Sequence, residues 1–378
     1  MMSKPKFALD TPAGRDLDRV VRFSGWCLSA EGRPADQLLL RVGGVDAVSL
    51  ERTPRWDLAD AFAQFPEAVL GGFNGDLAVP DAAGSGDRLD IELVARFGSN
   101  EIVLFANRYR VAADATPLRA RPRSYDLAAV LESMPSAPAD GVPARWPAYI
   151  LGVPHFHDAG AIPSIRALEP GPTPPYSDGA RAVIDAVPAG GLYLDLGCGI
   201  RRQEEVRGNG IYLDAVHFRG VDVVNSRARL PLRDASVDAV VSLAVFEHLP
   251  DPFAMAAELH RVLKPGGAIW IETAFLQPMH ADPGHYFNMT LEGLRRVFAR
   301  FAIDAAGVLP HQYPSFALRM QIDHVLPYMR DGEWKTALRD FGERVREGGA
   351  ALDAALGPIG RRTLSAGVYI RGRKVQSN

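Results

Sequence analysis

Residues Gly191 to Ile200 read G-L-Y-L-D-L-G-C-G-I, and the reading of this stretch decides the fold. Leu192, Tyr193 and Leu194 are an apolar strand signal that runs into Asp195. Gly197 and Gly199 follow, separated only by Cys198. An apolar strand that breaks into a glycine turn lets a nucleotide-like ligand approach the backbone at the carboxyl end of a parallel sheet. A dinucleotide fingerprint asks for a further glycine three residues beyond Gly199, and that position is Arg202. The acid two residues before the first glycine is poorly placed for a pyrophosphate and well placed for an ammonium group. The competing reading is an ordinary strand-to-helix turn, because short glycine motifs recur without function.

The sequence downstream argues against the ordinary turn. Leu230-Pro-Leu-Arg-Asp234, Val237-Asp-Ala-Val-Val-Ser242, Phe246-Glu-His-Leu-Pro-Asp-Pro252 and Arg261-Val-Leu-Lys-Pro-Gly-Gly267 follow in order. With the glycine turn, this series resembles the class I S-adenosylmethionine-dependent methyltransferases, whose motifs read L-D-x-G-C-G, L-P-F-x-D, F-D-x-V, L-E-H and R-V-L-K-P-G-G. The likeness is strong from Tyr176 to Trp270 and looser over the rest of the carboxyl-terminal half. It implies an α/β fold: a doubly wound, Rossmann-like sheet of seven strands with the last antiparallel. It also implies S-adenosylmethionine as cofactor, whose amino-acid end carries the ammonium that Asp195 suits.

The chain's 378 residues exceed one usual domain and predict two, each able to bury a core. Hydrophobic content of 47% and charged content of 23% belong to a globular protein. A net charge of -3 gives no basic footprint for nucleic acid. Cys27 and Cys198 are far apart and neither suggests a disulfide framework or a zinc site. No apolar run is long enough to span a bilayer and the amino terminus lacks an apolar leader, so the expected location is cytoplasmic.

The first 113 residues read as a β-sandwich accessory domain. Arg19 to Leu28, Gln37 to Val42, Gly72 to Val79, Arg88 to Phe97 and Glu101 to Val111 are short strand-like runs bounded by Gly, Pro, Asp or Ser. Gly98-Ser99-Asn100 marks a hairpin turn, and a helix is expected over Trp56 to Phe65. Ser24-Gly25-Trp26, Arg55 and Gly71-Gly72-Phe73 resemble a small β module that accompanies some bacterial enzymes of surface-glycan pathways. Trp26 reads as a core aromatic rather than a sugar platform. Residues 114–145 are a Pro/Ala-rich linker in this reading, with a short helix from Asp126 to Ser133 and a solvated Arg119 to Arg123 cluster. The catalytic domain is then 146–378.

Within it, Tyr176-Ser177-Asp178 caps a helix to Val187 with Ala180, Val183, Ile184 and Val187 on one side. The resemblance places this helix over the cofactor, so Tyr176 and Ser177 are candidate contacts. After Gly199 the crossover is short, and Gly210 to Asp214 follows as a second strand. A carboxylate can take both hydroxyls of a ribose, and Asp214 is the candidate; Asp222, assigned to the third strand, is its competitor. Ser226 stands where the family often carries an acid for the adenine, which shifts that contact to the backbone from Arg227 to Leu230. The fourth strand ends at Val245-Phe246-Glu247-His248, facing the ligand crevice. Asp251 and Pro252 start a helix that Lys264 to Gly267 stops before a fifth strand, Ala268 to Glu272.

The loop beyond the fifth strand, Phe275 to Thr290, resembles a subgroup with F-L-Q-P-x-H-x-x-P-x-H-Y-F-N-x-T. Methyl transfer to a hydroxyl needs its proton removed, and histidine titrates near neutrality, so His280 and His285 are candidate bases. His248 either orients substrate or bonds nearby loop backbone. No metal is expected, since no third ligand is evident and the resembling family needs none. A helix over Leu291 to Ala299, a strand from Phe301, helices over Pro314 to Tyr328 and Glu333 to Leu356, and a last strand from Leu364 complete the pattern. The two late helices offer a lid, a homodimer contact or a plain packing layer. Together these features point to methyl transfer onto a small-molecule or glycan acceptor, at oxygen. The alternative is a cofactor-binding scaffold without turnover.

Overall fold

In the computed structural model the described residues are 5–12, 16–17, 20–53, 55–79, 86–112, 123–132, 149–150, 153–156, 164–165, 173–218, 220–280 and 284–375. The proline-rich stretches at 113–122, 133–148 and 166–172 lie outside them, and with them most of the expected linker.

The amino-terminal part is all β apart from a short helix at Trp56–Ala61 and a 3₁₀ turn at Pro66–Gly71. Strands Lys6–Thr11, Val20–Leu28, Gly72–Ala78, Val45–Thr53, Gln37–Val42, Arg88–Phe97 and Asn100–Val111 neighbour one another in that order, with Asp16–Leu17 at the far edge. Pairing is unbroken through all eight, so the expected sandwich is built as one sheet. Val45–Thr53 joins its halves: Val45 to Leu50 pairs with Gln37–Val42, and Glu51 to Thr53 with Gly72–Ala78. Phe23, Leu40, Val48, Phe73, Ile91 and Leu93 meet in the cluster that the two halves share. Lys6–Thr11 and Val45–Thr53 were not foreseen. The second had a signal, because Gly43 and Gly44 supply the two positive φ values, +57° and +84°, of a tight hairpin.

The carboxyl-terminal part is built on strands β1 (Tyr149–Ile150), β2 (Val153–Phe156), β3 (Tyr193–Leu196), β4 (Gly210–Asp214), β5 (Val223–Asn225), β6 (Val237–Leu243), β7 (Leu263–Ala274), β8 (Phe301–Gly307) and β9 (Gly367–Lys374). They neighbour one another in the order β8-β9-β7-β6-β3-β4-β5-β2-β1. From β2 to β7 neighbours run parallel, and β9 is antiparallel to both β7 and β8. The chain therefore moves outward from β3 on one side and then crosses to β6 on the other. That makes the carboxyl end of β3 a switch point, where an open α/β sheet leaves a crevice.

Seven strands were expected and nine are found. The additional pair, β1 and β2, lies ahead of Tyr176, where no strand was expected. The fifth strand begins at Leu263 rather than Ala268, because Leu263 already pairs with Val237 and the Lys264 to Gly267 turn is carried as a bulge before pairing resumes at Ala268. Asp222 sits just before β5, not in it.

Alternation across β3 and β4 sets the two faces. Leu194, Leu196, Ile211 and Leu213 point into one core with Leu127, Val130 and Leu131, so part of the expected linker packs here. Helices α2 (Pro252–Val262) and α3 (Leu291–Val297) close that face through Met255, Leu259 and Leu294. Tyr193 and Tyr212 point the other way, into a cluster with Ala180, Val183 and Ile184 of α1 (Asp178–Asp185). With a period of two, Asp195 and Asp214 share the face of α1. Helices α4 (Pro314–Val325) and α5 (Glu333–Ala355) form the insertion before β9.

Candidate active site

The turn after β3 is glycine because nothing else fits. Gly197 has φ +70° and a Cβ there would lie 2.1 Å from Val245 Cγ2. Gly199 has φ +55° and its Cβ would meet Thr173 Cγ2 at 2.2 Å. Both positions need left-handed backbone, which glycine adopts without steric cost. Val245, which follows β6 and a left-handed Ala244 (φ 56°), thus touches the glycine turn from the neighbouring strand. Cys198 between the glycines is buried, and burial raises its thiol well above the ordinary range. It is a packing residue of the turn.

Asp195 is fully buried and its charge is met within the chain. Arg201 donates from Nε to Oδ2 at 2.7 Å and from Nη2 to Oδ1 at 3.1 Å, and the Tyr176 hydroxyl donates to Oδ2. The guanidinium also lies over the Tyr176 ring, 4.1 Å from its centre. Tyr176 is buried, and that burial, with Asp195 beside it, holds its hydroxyl protonated far above the usual range. Arg201 was not among the expected site residues.

Asp214 ends β4 on the same face. Its Oδ2 accepts from the Gly199 amide at 2.9 Å and Oδ1 from the Val216 amide at 3.0 Å. Burial raises its pKa to about 6 against the pull of those amides. Its competitor Asp222 is spent on structure, taking Arg123 Nε at 2.7 Å and the Tyr212 amide at 3.0 Å. Ser226 is exposed, with its amide donating to Phe156 O at 3.0 Å, and Arg227 lies 5.9 Å from the Phe156 ring centre. Ser177 caps α1 and also donates to Glu272 Oε1 at 2.6 Å. Glu272, unremarked in the sequence, is buried at the end of β7 and further accepts from Trp270 Nε1, Gln312 and His311.

The histidines gather at the same end of the sheet. His248 Nδ1 is 2.8 Å from Gly284 O and His280 Nδ1 is 3.0 Å from Pro278 O. Their Nε2 atoms face each other at 3.3 Å. His285 has both ring nitrogens engaged, with Asn288 Oδ1 at 3.0 Å and the His280 amide at 3.4 Å. Desolvation pushes His280 below the ordinary histidine range, with the neighbouring imidazoles adding to it. Glu247, also missed, is buried beneath this loop, which returns over it through Tyr286 and Phe287 amides on the Glu247 carbonyl. A carboxylate oxygen of Glu247 and ring nitrogens of His248 and His280 lie within 4.8 Å of one another. The expectation that no third metal-type ligand accompanies the histidines is therefore corrected. It failed because Glu247 and His248 stand far from His280 in sequence and meet it only through the return of the loop.

S-adenosylmethionine fits this arrangement in kind. An acid stands at the turn, two left-handed glycines bare the backbone, and a second acid ends the adjacent strand. A carboxylate has about four acceptor positions. Among the described residues, Tyr176 and Arg201 fill three on Asp195, leaving one on Oδ1.

Residues 194–271 match the family described as "Methyltransferase domain". A Mycolicibacterium smegmatis protein named a probable S-adenosylmethionine-dependent methyltransferase is 52% identical over 46 residues, 12% of this chain and 18% of its own length. An uncharacterized methyltransferase of Mycobacterium avium is 40% identical over 85 residues, 22% of this chain and 32% of its own. The chain thus spans about a fifth to a third of the length of these curated relatives. Haemonchus contortus phosphoethanolamine N-methyltransferase 2, solved with S-adenosyl-L-methionine, overlays with a TM-score of 0.30 and 17% identity, covering 49% of each chain. An overlay of that quality bears on neither substrate nor mechanism. Over residues 194–271, then, the chain matches the methyltransferase-domain family.

Proposed function

We propose that this protein transfers a methyl group from S-adenosylmethionine to a small-molecule or glycan acceptor, at oxygen. The observation that carries the reading is the Asp195–Gly197–Gly199 turn at the sheet's switch point, with Asp214 bonded back to the Gly199 amide. The cofactor supplies an electrophilic methyl group and leaves as a neutral thioether. No acid is needed for that departure, so the chain's task is alignment and handling of the acceptor's proton.

Asp195 is the seat for the ammonium and Asp214 for the ribose hydroxyls. Val245, packed on Gly197, shapes the floor between them. Tyr176 and Arg201 hold the Asp195 carboxylate in place and keep water from it. Ser226 and Arg227, at the end of β5, border the adenine side. The acceptor side is the loop carrying His280 and His285 over His248, where the Nε2 atoms of His248 and His280 face each other. The exposed Met279, Tyr286 and Phe287 on that loop offer apolar and aromatic surface to an acceptor such as a sugar ring. A polysaccharide role, a cytoplasmic location and pairing of two copies through α4 and α5 belong to the same proposal.

Calorimetric titration of S-adenosylmethionine into the full chain tests it. Wild type is expected to bind one equivalent, and Asp195→Asn to bind at least tenfold more weakly while unfolding cooperatively. Equal binding by a folded Asp195→Asn chain would sink the assignment. A chain that binds but releases no demethylated cofactor with any glycan or small hydroxylated acceptor would be the scaffold instead.

A further inference from the structure

We propose that Glu247, His248 and His280 form a binding site for one divalent transition-metal ion, with zinc as the reference ion. Its place on the acceptor loop rests on the functional reading above, but the site itself rests on geometry alone.

The argument begins with ring tautomers. His248 Nδ1 lies 2.8 Å from Gly284 O, and His280 Nδ1 lies 3.0 Å from Pro278 O. A carbonyl oxygen only accepts, so each Nδ1 carries the proton and donates it. Each neutral ring then presents an unprotonated Nε2, and these two atoms face each other at 3.3 Å. Two lone pairs at that distance repel unless a cation lies between or beside them. An imidazole whose other nitrogen donates to a backbone carbonyl is also the usual form of a metal-binding histidine.

The carboxylate supplies the independent observation. Glu247 is fully buried, and its Oε1 has no hydrogen-bond partner among the described residues. Its Oε2 accepts from Thr273 Oγ1 at 2.9 Å, which fixes the head group. A buried acceptor without a partner is costly, and a cation beside it would offset that cost. A proton shared between the imidazoles relieves them and leaves Oε1 as it was. One cation satisfies all three groups.

The dimensions agree. Zinc–nitrogen bonds of about 2.0–2.1 Å in a tetrahedral site put two nitrogens roughly 3.3–3.4 Å apart. The Nε2 pair is separated by 3.3 Å. The three donor atoms lie within 4.8 Å of one another, so the carboxylate needs only a small approach. Two imidazoles and one carboxylate are a donor set for zinc, iron or cobalt rather than for calcium or magnesium. Three protein ligands leave open positions for a water or an acceptor oxygen. His285 is a positioning residue here: its Nδ1 takes the His280 amide, and Asn288 holds its other nitrogen.

The full chain, stripped with a chelator and dialysed, would be titrated with Co²⁺ and read by its visible absorption and by calorimetry. One Co²⁺ per chain is expected, displaced by Zn²⁺. Glu247→Gln and His280→Ala should each weaken binding at least tenfold, whereas His260→Ala, on α2, should leave it unchanged. Glutamine keeps the shape and the Thr273 bond, and His280 lies on an exposed loop, so both variants should fold. Absence of binding, or binding that neither substitution weakens, overturns the site. A pair that merely shares a proton would appear as the first of those results. The readout needs no methyl transfer, so an unaltered chain that takes up no metal yet binds cofactor sinks this site and leaves the methyltransferase reading standing, and the reverse result does the opposite.

Discussion

Both guanidinium contacts from Arg201 to Asp195 lie where solvent is excluded, with side-chain exposures of 4% and 0%. Removing one partner of a buried pair leaves the other charge uncompensated, at a cost of about 3–5 kcal/mol. Arg201→Ala should therefore lower stability by roughly that amount. The freed carboxylate then lacks a cation, and the ammonium of S-adenosylmethionine is one. Saturating cofactor should raise the unfolding temperature of Arg201→Ala more than that of wild type; equal rises would show that the ammonium goes elsewhere. Asp195 was legible in the sequence because an acid before a glycine turn has chemical meaning at fixed spacing. Arg201 carried no such signal, since the missing third glycine is its neighbour Arg202. A charge pair closed across an irregular turn has no period to betray it. Glu247 stayed hidden for the same reason, as its partners come from a loop many residues later.

Close approach of α1 to the sheet depends on Gly179. A Cβ there would lie 1.9 Å from Trp270 Cη2 and 2.3 Å from two further ring atoms. The indole cannot yield, since it stacks on Tyr369 at 4.6 Å and its Nε1 donates to Glu272 at 2.7 Å. Alanine for glycine in a helix gains at most about 1 kcal/mol, whereas overpacking a fixed neighbour costs about 1–3 kcal/mol. The clash wins at this position, and Gly179→Ala should be destabilising. Gly348 in α5 has nothing among the described residues within 4 Å of its added Cβ, so there the propensity term stands alone. Gly348→Ala should stabilise by about 0.5–1 kcal/mol. Urea unfolding of the two variants checks the pair, and the same sign for both would refute the packing argument. The helix itself was legible, because the Ser177 cap and the Ala180, Val183, Ile184 stripe are local signals. Its contact with Trp270 was not, since register between a helix and a distant strand leaves no trace in either.

At the scale of the molecule, the doubly wound sheet was legible through the resemblance that the motifs carry, while β2 was lost in a proline-rich setting. Val153–Phe156 contains Pro154 yet is buried throughout, and it brings His155 against His217 on the short strand Val216–His217. His155 Nε2 and His217 Nδ1 are 2.9 Å apart, and burial pushes the His217 pKa down to about 4. Asp214, three residues earlier, is pushed up to about 6 by its own burial. The unfolded values are about 6.5 and 3.9. As pH falls from about 6.5 towards 4, the unfolded chain takes a proton at His217 that the fold refuses, so acid costs stability. Over much the same range the fold takes a proton at Asp214 that the unfolded chain does not, so acid restores stability that is lost as pH rises through about 6. Each window is worth on the order of 3 kcal/mol, with opposite sign. Glu247, raised by burial, and His280, lowered by it, repeat the opposition. Wild type should therefore change little between pH 6.5 and 4.5. Asp214→Asn leaves the histidine's contribution uncovered and should lose stability steadily on acidification. His217→Phe leaves the carboxylate's and should gain it. Urea unfolding at a few pH values across this window reads the slopes, whatever each substitution does to absolute stability. Parallel slopes for both variants and wild type would mean that neither burial perturbs its group as the fold implies.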